Sequence, residues 1–384
     1  MKKLMKSSLS LIDFSQIPSP CYVLDESRLN ENLDTLSSFK EEAGIKVLHA
    51  LKGFALPYGL ELISRKLDGA SVSSLNEARL ATECFDNHFH AYCPVFIEKE
   101  FEEIVALSNS ISFNSLGQLG RFVDLVPSST SIGLRINPEY SDVSTELYNP
   151  CAKGTRLGVS VLDLPENLPD RVQGFHSHNL CESGAEALCK TLENIERLFG
   201  HYLPKLSWLN LGGGHLITRK GYDRSLAISS LKKFKTKFPN LEIIIEPSAA
   251  SVWQAGFLVS EIQDIVSYKG VSTAVLDVSV TAHMPDCLEM PYAPEVIGAV
   301  QQDCEGAVRL GGTTCLAGDV LPSYKFHTEP KVGDRVVFKD MMHYTMVKTT
   351  MFNGVAHPSY GVFDTSGEFK LLKTFDFSTY RALQ

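Results

Sequence analysis

Ile45-Lys46-Val47-Leu48-His49-Ala50-Leu51-Lys52 is a short, mostly apolar run closed by a cation. A run of this length reads as a buried strand. A lysine at its carboxyl end either reaches water along its own stem or is held there for chemistry. The pattern recurs outward along the chain. Asp68 and Ser71 to Ser73 flank Ala70 and Val72, Arg135 closes 131–136, and His176 and His178 close 172–178. Gly212-Gly213-Gly214 follows 206–211, and Glu246 ends 241–246. Strand ends that collect such groups are expected of a barrel whose loops meet at one mouth.

Counting elements leads to the same architecture. Strands are expected at 45–51, 70–73, 89–93, 111–113, 131–136, 172–178, 206–211 and 241–246. Helices at 56–66, 74–85, 98–107, 115–125, 183–199 and 225–238 lie between most of them, several opened by a serine suited to cap a first turn. Eight strands with intervening helices predict an α/β chain built on a (β/α)8, TIM-like barrel. Past residue 255 the texture changes. Segments 257–266, 271–279, 306–312, 335–339 and 368–375 read as strands joined by Gly, Pro and Asp turns, which predicts a mostly β C-terminal domain. The expected division is a barrel over 27–255 and a β-rich domain made of 1–26 and 256–384. Cys21-Tyr22-Val23-Leu24-Asp25 reads as an extended piece able to pair back into the barrel.

Composition excludes several classes. With 384 residues, 44% of them hydrophobic, the chain can bury a large core and has room for two domains. A formal charge of −9 with no compensating basic stripe argues against nucleic acid as a partner and is compatible with a cationic substrate. No run of about 18 apolar residues is present, so no membrane span is expected. Met1-Lys2-Lys3-Leu4-Met5-Lys6 resembles the start of a signal segment, but serines and Asp13 interrupt the apolar stretch that would have to follow. The nine cysteines lack framework spacing and read as reduced thiols, which places the protein in the cytoplasm.

On the barrel reading Lys52 ends strand one, His178 strand six, the three glycines strand seven and Glu246 strand eight. A glycine turn offers backbone N–H groups to a phosphate, and barrels often place phosphate after strands seven and eight. A lysine, a phosphate cradle, an imidazole and a carboxylate at one mouth suit pyridoxal 5'-phosphate. Desolvation would lower the lysine pKa toward a usable amine, and an acid on the pyridine nitrogen would keep the ring an electron sink. His176-x-His178 with Cys181 could also suit a metal cluster. It falls on the sixth strand, however, and no matched later histidine pair is found, so no metal is expected.

Nearly end to end, from Pro18-Ser19-Pro20-Cys21-Tyr22-Val23 to Met351-Phe352-Asn353-Gly354, the sequence resembles the fold type III pyridoxal-phosphate decarboxylases. These include ornithine, diaminopimelate and carboxynorspermidine decarboxylases, and the resemblance is greatest to the last. Its most specific pieces are His49-Ala50-Leu51-Lys52, Phe175-His176-Ser177-His178-Asn179-Leu180-Cys181-Glu182, His283-Met284-Pro285-Asp286, Cys315-Leu316-Ala317-Gly318-Asp319 and Met341-Met342-His343-Tyr344. The resemblance implies a homodimer with active sites at its interface, the β-rich domain contributing to both. It implies Lys52 as the lysine bonded to the cofactor, His178 against the pyridine ring, and Gly212, Gly213 and Gly214 around the phosphate, with Tyr344 reaching it. Glu246 would pair with the pyridine nitrogen, and Asp68, Glu77 and Arg135 would support the lysine and ring. Cys315 would protonate the carbanion carbon. Asp319 would bind a distal amine, and Asp286 and Glu289 would select the substrate.

The implied reaction is decarboxylation of carboxynorspermidine, and of carboxyspermidine, in polyamine synthesis, with Asp286, Glu289 and Asp319 favouring a long cationic tail. The alternatives are a racemase, a decarboxylase of diaminopimelate or another basic amino acid, and a non-catalytic binding protein. Glu246-Pro247 is followed by Ser248-Ala249 where relatives usually carry glycine and then a charge. Diaminopimelate specificity would want arginine at position 249. A racemase would want a tyrosine near Cys315, and a binding protein would be expected to have lost Lys52 or Cys315.

Overall fold

The computed structural model describes residues 13–86 and 88–384. The segment read as a signal-like start lies outside them. The chain divides into two compact units. One is Leu29–Trp253, and the other joins the chain up to Arg28 with Gln254–Gln384.

In the second unit, Cys21–Asp25 (β1) pairs antiparallel with the later strand Gly256–Tyr268 and parallel with Ser359–Phe363. The expected pairing of 21–25 with the barrel is therefore wrong. A fully buried apolar run needs partners on both edges, and these two strands supply them.

The first unit is the barrel. Lys46–Ala50 (β2), Gly69–Val72 (β3), His88–Tyr92 (β4), Ser110–Phe113 (β5), Ser131–Arg135 (β6), Val172–His176 (β7), Trp208–Asn210 (β8) and Glu242–Ile245 (β9) close on themselves in that order. All neighbours are parallel, and β2 closes against β9 with Lys46 opposite Ile244 and Val47 opposite Ile245. The eight expected strands coincide with these to within two residues at each end. Runs buried on both faces are near-continuously apolar, which is why they are legible.

Helices follow the strands at Pro57–Ser64, Leu75–Cys84, Glu98–Ala106, Leu116–Phe122, Ala185–Phe199 and Arg224–Lys237. Ser74 and Ser115 cap their helices as expected, each accepting a backbone N–H three residues on. The last two helices differ. Gly184 precedes one without a side-chain cap, and Asp223, not a serine, caps the other by accepting from Leu226 N–H.

The barrel interior is filled from its floor by Trp208, packed with Leu48 and Ile244. A Cβ on Gly174 would meet the indole at 2.0 Å and one on Gly133 at 2.2 Å, so both strands must carry glycine where they pass it. The indole N–H donates to Ser131 Oγ at 2.8 Å, which satisfies the one polar group that this side chain buries.

The other unit is a sheet. Its strands after β1 are Gly256–Tyr268 (β10), Val271–Leu276 (β11), Ala299–Gln301 (β12), Val308–Gly311 (β13), Val320–Phe326 (β14), Arg335–Lys339 (β15), Ser359–Phe363 (β16) and Phe369–Lys373 (β17). The order is β12-β14-β13-β11-β10-β1-β16-β17, with β15 on β10. The long β10 serves both halves, pairing β1 and β15 through its first residues and β11 through its last. Ile17, Cys21, Val23, Phe257, Val259 and Val337 form a buried cluster here. Sequence reasoning missed β12, β14 and β16. In β14 the reason is Pro322, which argues against a central strand; it sits where the β13–β14 register shifts between Arg309 and Gly311.

Candidate active site

Strand β2 runs into one 3-10 turn, Leu51–Gly53, which carries Lys52 off the strand end and leaves it half-buried. Its Nζ lies 3.2 Å from His178 Nε2. Burial pushes the ammonium below its ordinary pKa; Glu246 opposes the fall and Arg135 adds to it. Burial likewise pushes His178 well down, with the Lys52 and Arg135 cations adding to the effect. His178 is therefore a neutral imidazole at pH 7, and its Nδ1 accepts the Gly213 N–H at 3.1 Å.

Arg135 ends β6 and is buried. It donates from Nη2 to the His178 carbonyl at 2.7 Å and from Nη1 to Tyr92 Oη at 2.7 Å, with its guanidinium carbon 4.7 Å from the Tyr92 ring centre. Tyr92 in turn donates to Asn114 Oδ1 at 2.8 Å. One arm of the fork thus holds the His178 segment and the other is spent on Tyr92. Glu77 accepts the Ser73 N–H at 2.7 Å, and burial raises its pKa while Lys52 pulls it back.

Glu246 follows β9 and is 4% exposed. Asn210 Nδ2 donates to its Oε1 at 2.6 Å, while Asn210 Oδ1 accepts the Gly212 N–H at 2.8 Å. One side chain therefore ties the carboxylate to the glycine turn. Burial raises the Glu246 pKa, and the Asn210 bond and Lys52 draw it down. Gly212 and Gly214 have φ of 64° and 87°. A Cβ on Gly212 would meet that of His178 at 2.6 Å, and one on Gly214 the Leu180 carbonyl oxygen at 2.1 Å, so the turn admits glycine alone.

The segment after Glu246 is laced to this turn at two points. Glu246 N–H donates to the Gly212 carbonyl at 2.8 Å, and Thr218 Oγ1 donates to the Ala250 carbonyl at 2.6 Å. Between them, Ser248 is 4% exposed and its hydroxyl has no hydrogen-bond partner among the described residues. Ala249 is buried and offers no polar side-chain atom.

Asp68 does not join this group. It precedes β3, at the strand's amino end, where it accepts the Val47 N–H at 2.8 Å and pairs with Lys40 at 2.8 Å. A residue before a parallel strand lies at the opposite rim from one after it. The expectation that Asp68 contacts the cofactor is corrected: it ties the barrel floor.

The remaining expected residues belong to the sheet unit. Lys348 Nζ bonds both Asp286 and Glu289, the latter at 2.7 Å, and lies 6.0 Å from the Tyr344 ring centre. Tyr344 is half-buried with φ of 47°. Cys315 is exposed, and its backbone N–H donates to Asn353 Oδ1 at 2.7 Å. Asp319 is corrected too. At 2% exposure it accepts from Ser279 Oγ at 3.1 Å, Thr281 N–H at 3.0 Å, Thr314 N–H at 3.1 Å and Thr314 Oγ1 at 2.6 Å. Its carboxylate is committed to its own loop and to the 279–281 segment, and is not a free acceptor for a distal amine.

Sequence reasoning passed over Asn210, Tyr92 and Lys348. Asn210 had a signal, as the polar residue closing β8 directly before Leu211 and the glycines. No group of three or more His, Cys, Asp or Glu among the described residues is placed to hold a metal ion.

A closed parallel barrel with a desolvated lysine, a neutral imidazole, a glycine-only turn and a buried carboxylate at one mouth defines a lysine-bearing barrel enzyme. Comparison narrows the class. The family model described as pyridoxal-dependent decarboxylase, C-terminal sheet domain, matches residues 21–342. The chain is 52% identical over 369 residues to carboxyaminopropylagmatine decarboxylase of Synechocystis sp., covering 96% of this chain and 95% of the relative. It is 39% identical over 379 residues to carboxynorspermidine/carboxyspermidine decarboxylase of Campylobacter jejuni, covering 96% and 98%. The solved structure of carboxynorspermidine decarboxylase complexed with norspermidine from Campylobacter jejuni matches with a TM-score of 0.89 at 38% identity, over 96% of this chain and 100% of that one. The protein belongs to the pyridoxal-dependent decarboxylase family and is a decarboxylase.

Proposed function

We propose that the protein decarboxylates the amino-acid head of a carboxylated polyamine, carboxynorspermidine or carboxyspermidine, with pyridoxal 5'-phosphate held at the barrel mouth. The observation that carries the reading is the desolvated Lys52 amine 3.2 Å from His178, on a barrel whose next strand ends supply a glycine-only turn and a buried carboxylate. These residues fit the cofactor. The turn admits glycine alone, and beside it Ser248 holds a buried hydroxyl with no partner among the described residues.

When bound, the pyridine ring accepts the electron pair released as the carboxylate leaves. Lys52 Nζ holds the group covalently between turnovers, and its lowered pKa keeps a usable fraction of free amine. Glu246, fixed by Asn210, accepts the ring N–H, and a cation set against this carboxylate offsets the cost of burying it. His178, held by Gly213 and by Arg135 through its carbonyl, bounds one side of the ring. Gly212, Gly213 and Gly214 would receive the phosphate, a role that the family resemblance gives to Tyr344 as well. The family resemblance gives Cys315, contributed across the dimer interface, the role of proton donor to the carbon that carbon dioxide would leave.

Asp286 and Glu289 set two carboxylates around Lys348, which supports a cationic tail over a second carboxylate. Carboxynorspermidine and carboxyspermidine differ by one methylene, worth only about 1–3 kcal/mol in a pocket, so both are accepted. The 52% identity to the Synechocystis relative favours a second reading, in which the tail ends in a guanidinium, as in carboxyaminopropylagmatine. Assembly as a homodimer with active sites at its interface, to which the β-rich domain contributes, belongs to the same reading. So does a cytoplasmic location, supported by nine free cysteines. No helix among the described residues is long and apolar enough to cross a membrane.

The test is carbon dioxide release from carboxynorspermidine, carboxyspermidine, carboxyaminopropylagmatine, ornithine and diaminopimelate on one preparation, with light scattering for the dimer. Preference for diaminopimelate or ornithine would sink the polyamine assignment. Preference for carboxyaminopropylagmatine would select the guanidinium reading.

A further inference from the structure

We propose that His176 is a positioning residue for Glu246, its imidazole turning Nε2–H onto the second carboxylate oxygen when that carboxylate pairs with the pyridine nitrogen of bound pyridoxal phosphate. The inference rests on the cofactor reading above and adds a residue that this reading leaves without a role.

His176 is the last residue of β7, and the period of two along a strand puts it on the same interior face as Gly174, which passes Trp208. Two rings pack edge-on against its own, that of Tyr92 at 5.0 Å and that of His90 at 5.4 Å between centres. Both are fixed. His90 is bonded through Nδ1 to Ser110 Oγ at 2.8 Å and through Nε2 to Ser112 Oγ at 3.1 Å, and Tyr92 is held by Arg135 and Asn114. At 2% exposure, neither nitrogen of His176 has a hydrogen-bond partner among the described residues. Its Nε2 lies 3.8 Å from Glu246 Oε2, while Asn210 holds Oε1.

Packing alone does not call for an imidazole. A phenylalanine would offer a ring to the same neighbours without two unpaired nitrogens, which cost free energy where water cannot reach them. The gap to Oε2 is too long for a hydrogen bond, and about 0.8 Å of movement closes it. Burial holds His176 well below its ordinary pKa, and the charges of His90, Arg135, His178 and Lys52 add to the effect. It is therefore a neutral donor, its proton placed on Nε2 by the acceptor that this nitrogen faces. At Glu246, burial favours the protonated acid, and the Asn210 and Ser71 hydrogen bonds with the Lys52 and Arg135 cations oppose it. His88, on β4, feels the same carboxylate charge. A further N–H on the second oxygen favours the ionised form, which is the one that accepts the ring N–H.

The test compares wild type with H176F and H176Q as full-length chains stripped of cofactor by hydroxylamine dialysis. Each is titrated by absorbance, at a series of pH values, with pyridoxal 5'-phosphate and with its deaza analogue, in which C–H replaces the pyridine nitrogen. The analogue cannot pair with Glu246, so its binding reports whether a variant has folded. A hydrogen bond to a charged group is worth about a tenfold change in affinity or more. H176F is therefore expected to bind pyridoxal phosphate about tenfold more weakly than wild type and the deaza analogue equally well. The ratio of the two proteins' affinities, in which the titration of Lys52 common to both cancels, should grow as pH falls, because the less supported carboxylate takes up its proton first. H176Q keeps an N–H donor and should recover part of the loss. Unchanged pyridoxal phosphate affinity in H176F, an equal loss for both compounds, or a loss in H176Q as large as in H176F overturns the assignment of His176. Absence of pyridoxal phosphate binding by wild type overturns the cofactor reading and this inference with it.

Discussion

Lys52 Nζ and His178 Nε2 lie 3.2 Å apart, and the second nitrogen of His178 accepts the Gly213 N–H at 3.1 Å. A neutral imidazole that accepts at Nδ1 carries its proton on Nε2, an assignment made from the bonding pattern. That proton points at Lys52, and only an unprotonated amine can accept it. The contact and the burial that lowers the lysine pKa thus point the same way, to an amine held in place to receive the cofactor.

Lys52→Ala removes that amine. Carbon dioxide release from the preferred carboxylated polyamine is expected to fall by about 10²–10⁴-fold, the range for a lost proton-handling group. Borohydride reduction followed by peptide mapping should label position 52 in the wild type. Wild-type turnover in the variant, or an unlabelled Lys52, would refute its role.

Acid is expected to destabilise the barrel through its buried histidines. Burial holds His49, His88 and His215 down to about 4, and His90 to about 3. The unfolded chain takes up these protons near pH 6.5, whereas the folded barrel does not until about pH 3–4. Stability is therefore lost as pH falls from about 6.5 toward 4, at about 1.4 kcal/mol per pKa unit of separation for each group. Lys52 works the same way higher up, its cost fading as pH rises toward 10.5. A urea midpoint that does not move between pH 7 and pH 4.5 would contradict the account.

Gly174→Ala drives a methyl group into the Trp208 ring at 2.0 Å, where strand and indole are both fixed. We expect destabilisation of about 1–3 kcal/mol or more. Chemical denaturation within 0.5 kcal/mol of wild type, where about 0.5 is the scatter of neutral substitutions, would show that the floor can give.

Asp319→Ala strips four donors of their acceptor at once. Each buried group left unpaired costs about 1–3 kcal/mol, so the variant should melt well below wild type. Surviving folded protein should keep the wild-type KM for the amine substrate. A large rise in KM with no change in melting temperature would restore Asp319 to substrate binding.

Lys348→Met removes the Lys348 cation from Asp286 and Glu289. If these acids meet the substrate tail, product inhibition by norspermidine should strengthen severalfold at low salt and return toward wild type as salt screens the pair. An inhibition constant unchanged at every ionic strength would remove both acids from the substrate site.

The eight barrel strands were legible because a strand buried on both faces writes itself as a short, mostly apolar run, and the polar residue that ends it marks the rim. Lys52, His178, the three glycines and Glu246 were readable for that reason. β14 was hidden by Pro322, which is tolerated where β14 carries an extra residue against β13, an irregularity that only the pairing reveals. Asp68 was misread because a run of letters does not say which end of a strand faces the mouth. Asp319 was misread because its four donors come from segments around 279–281 and 314, and only folding reveals that its acceptor capacity is spent.

By itself, then, the sequence determined the period and ends of the strands, and with them the barrel and the types of group at its mouth, since both follow from local patterning. Tertiary structure alone decided which of those groups are free. That depends on hydrogen bonds between residues far apart in the chain: Asn210 fixing Glu246, Arg135 spending both arms on Tyr92 and His178, and Ser248 buried with no partner among the described residues.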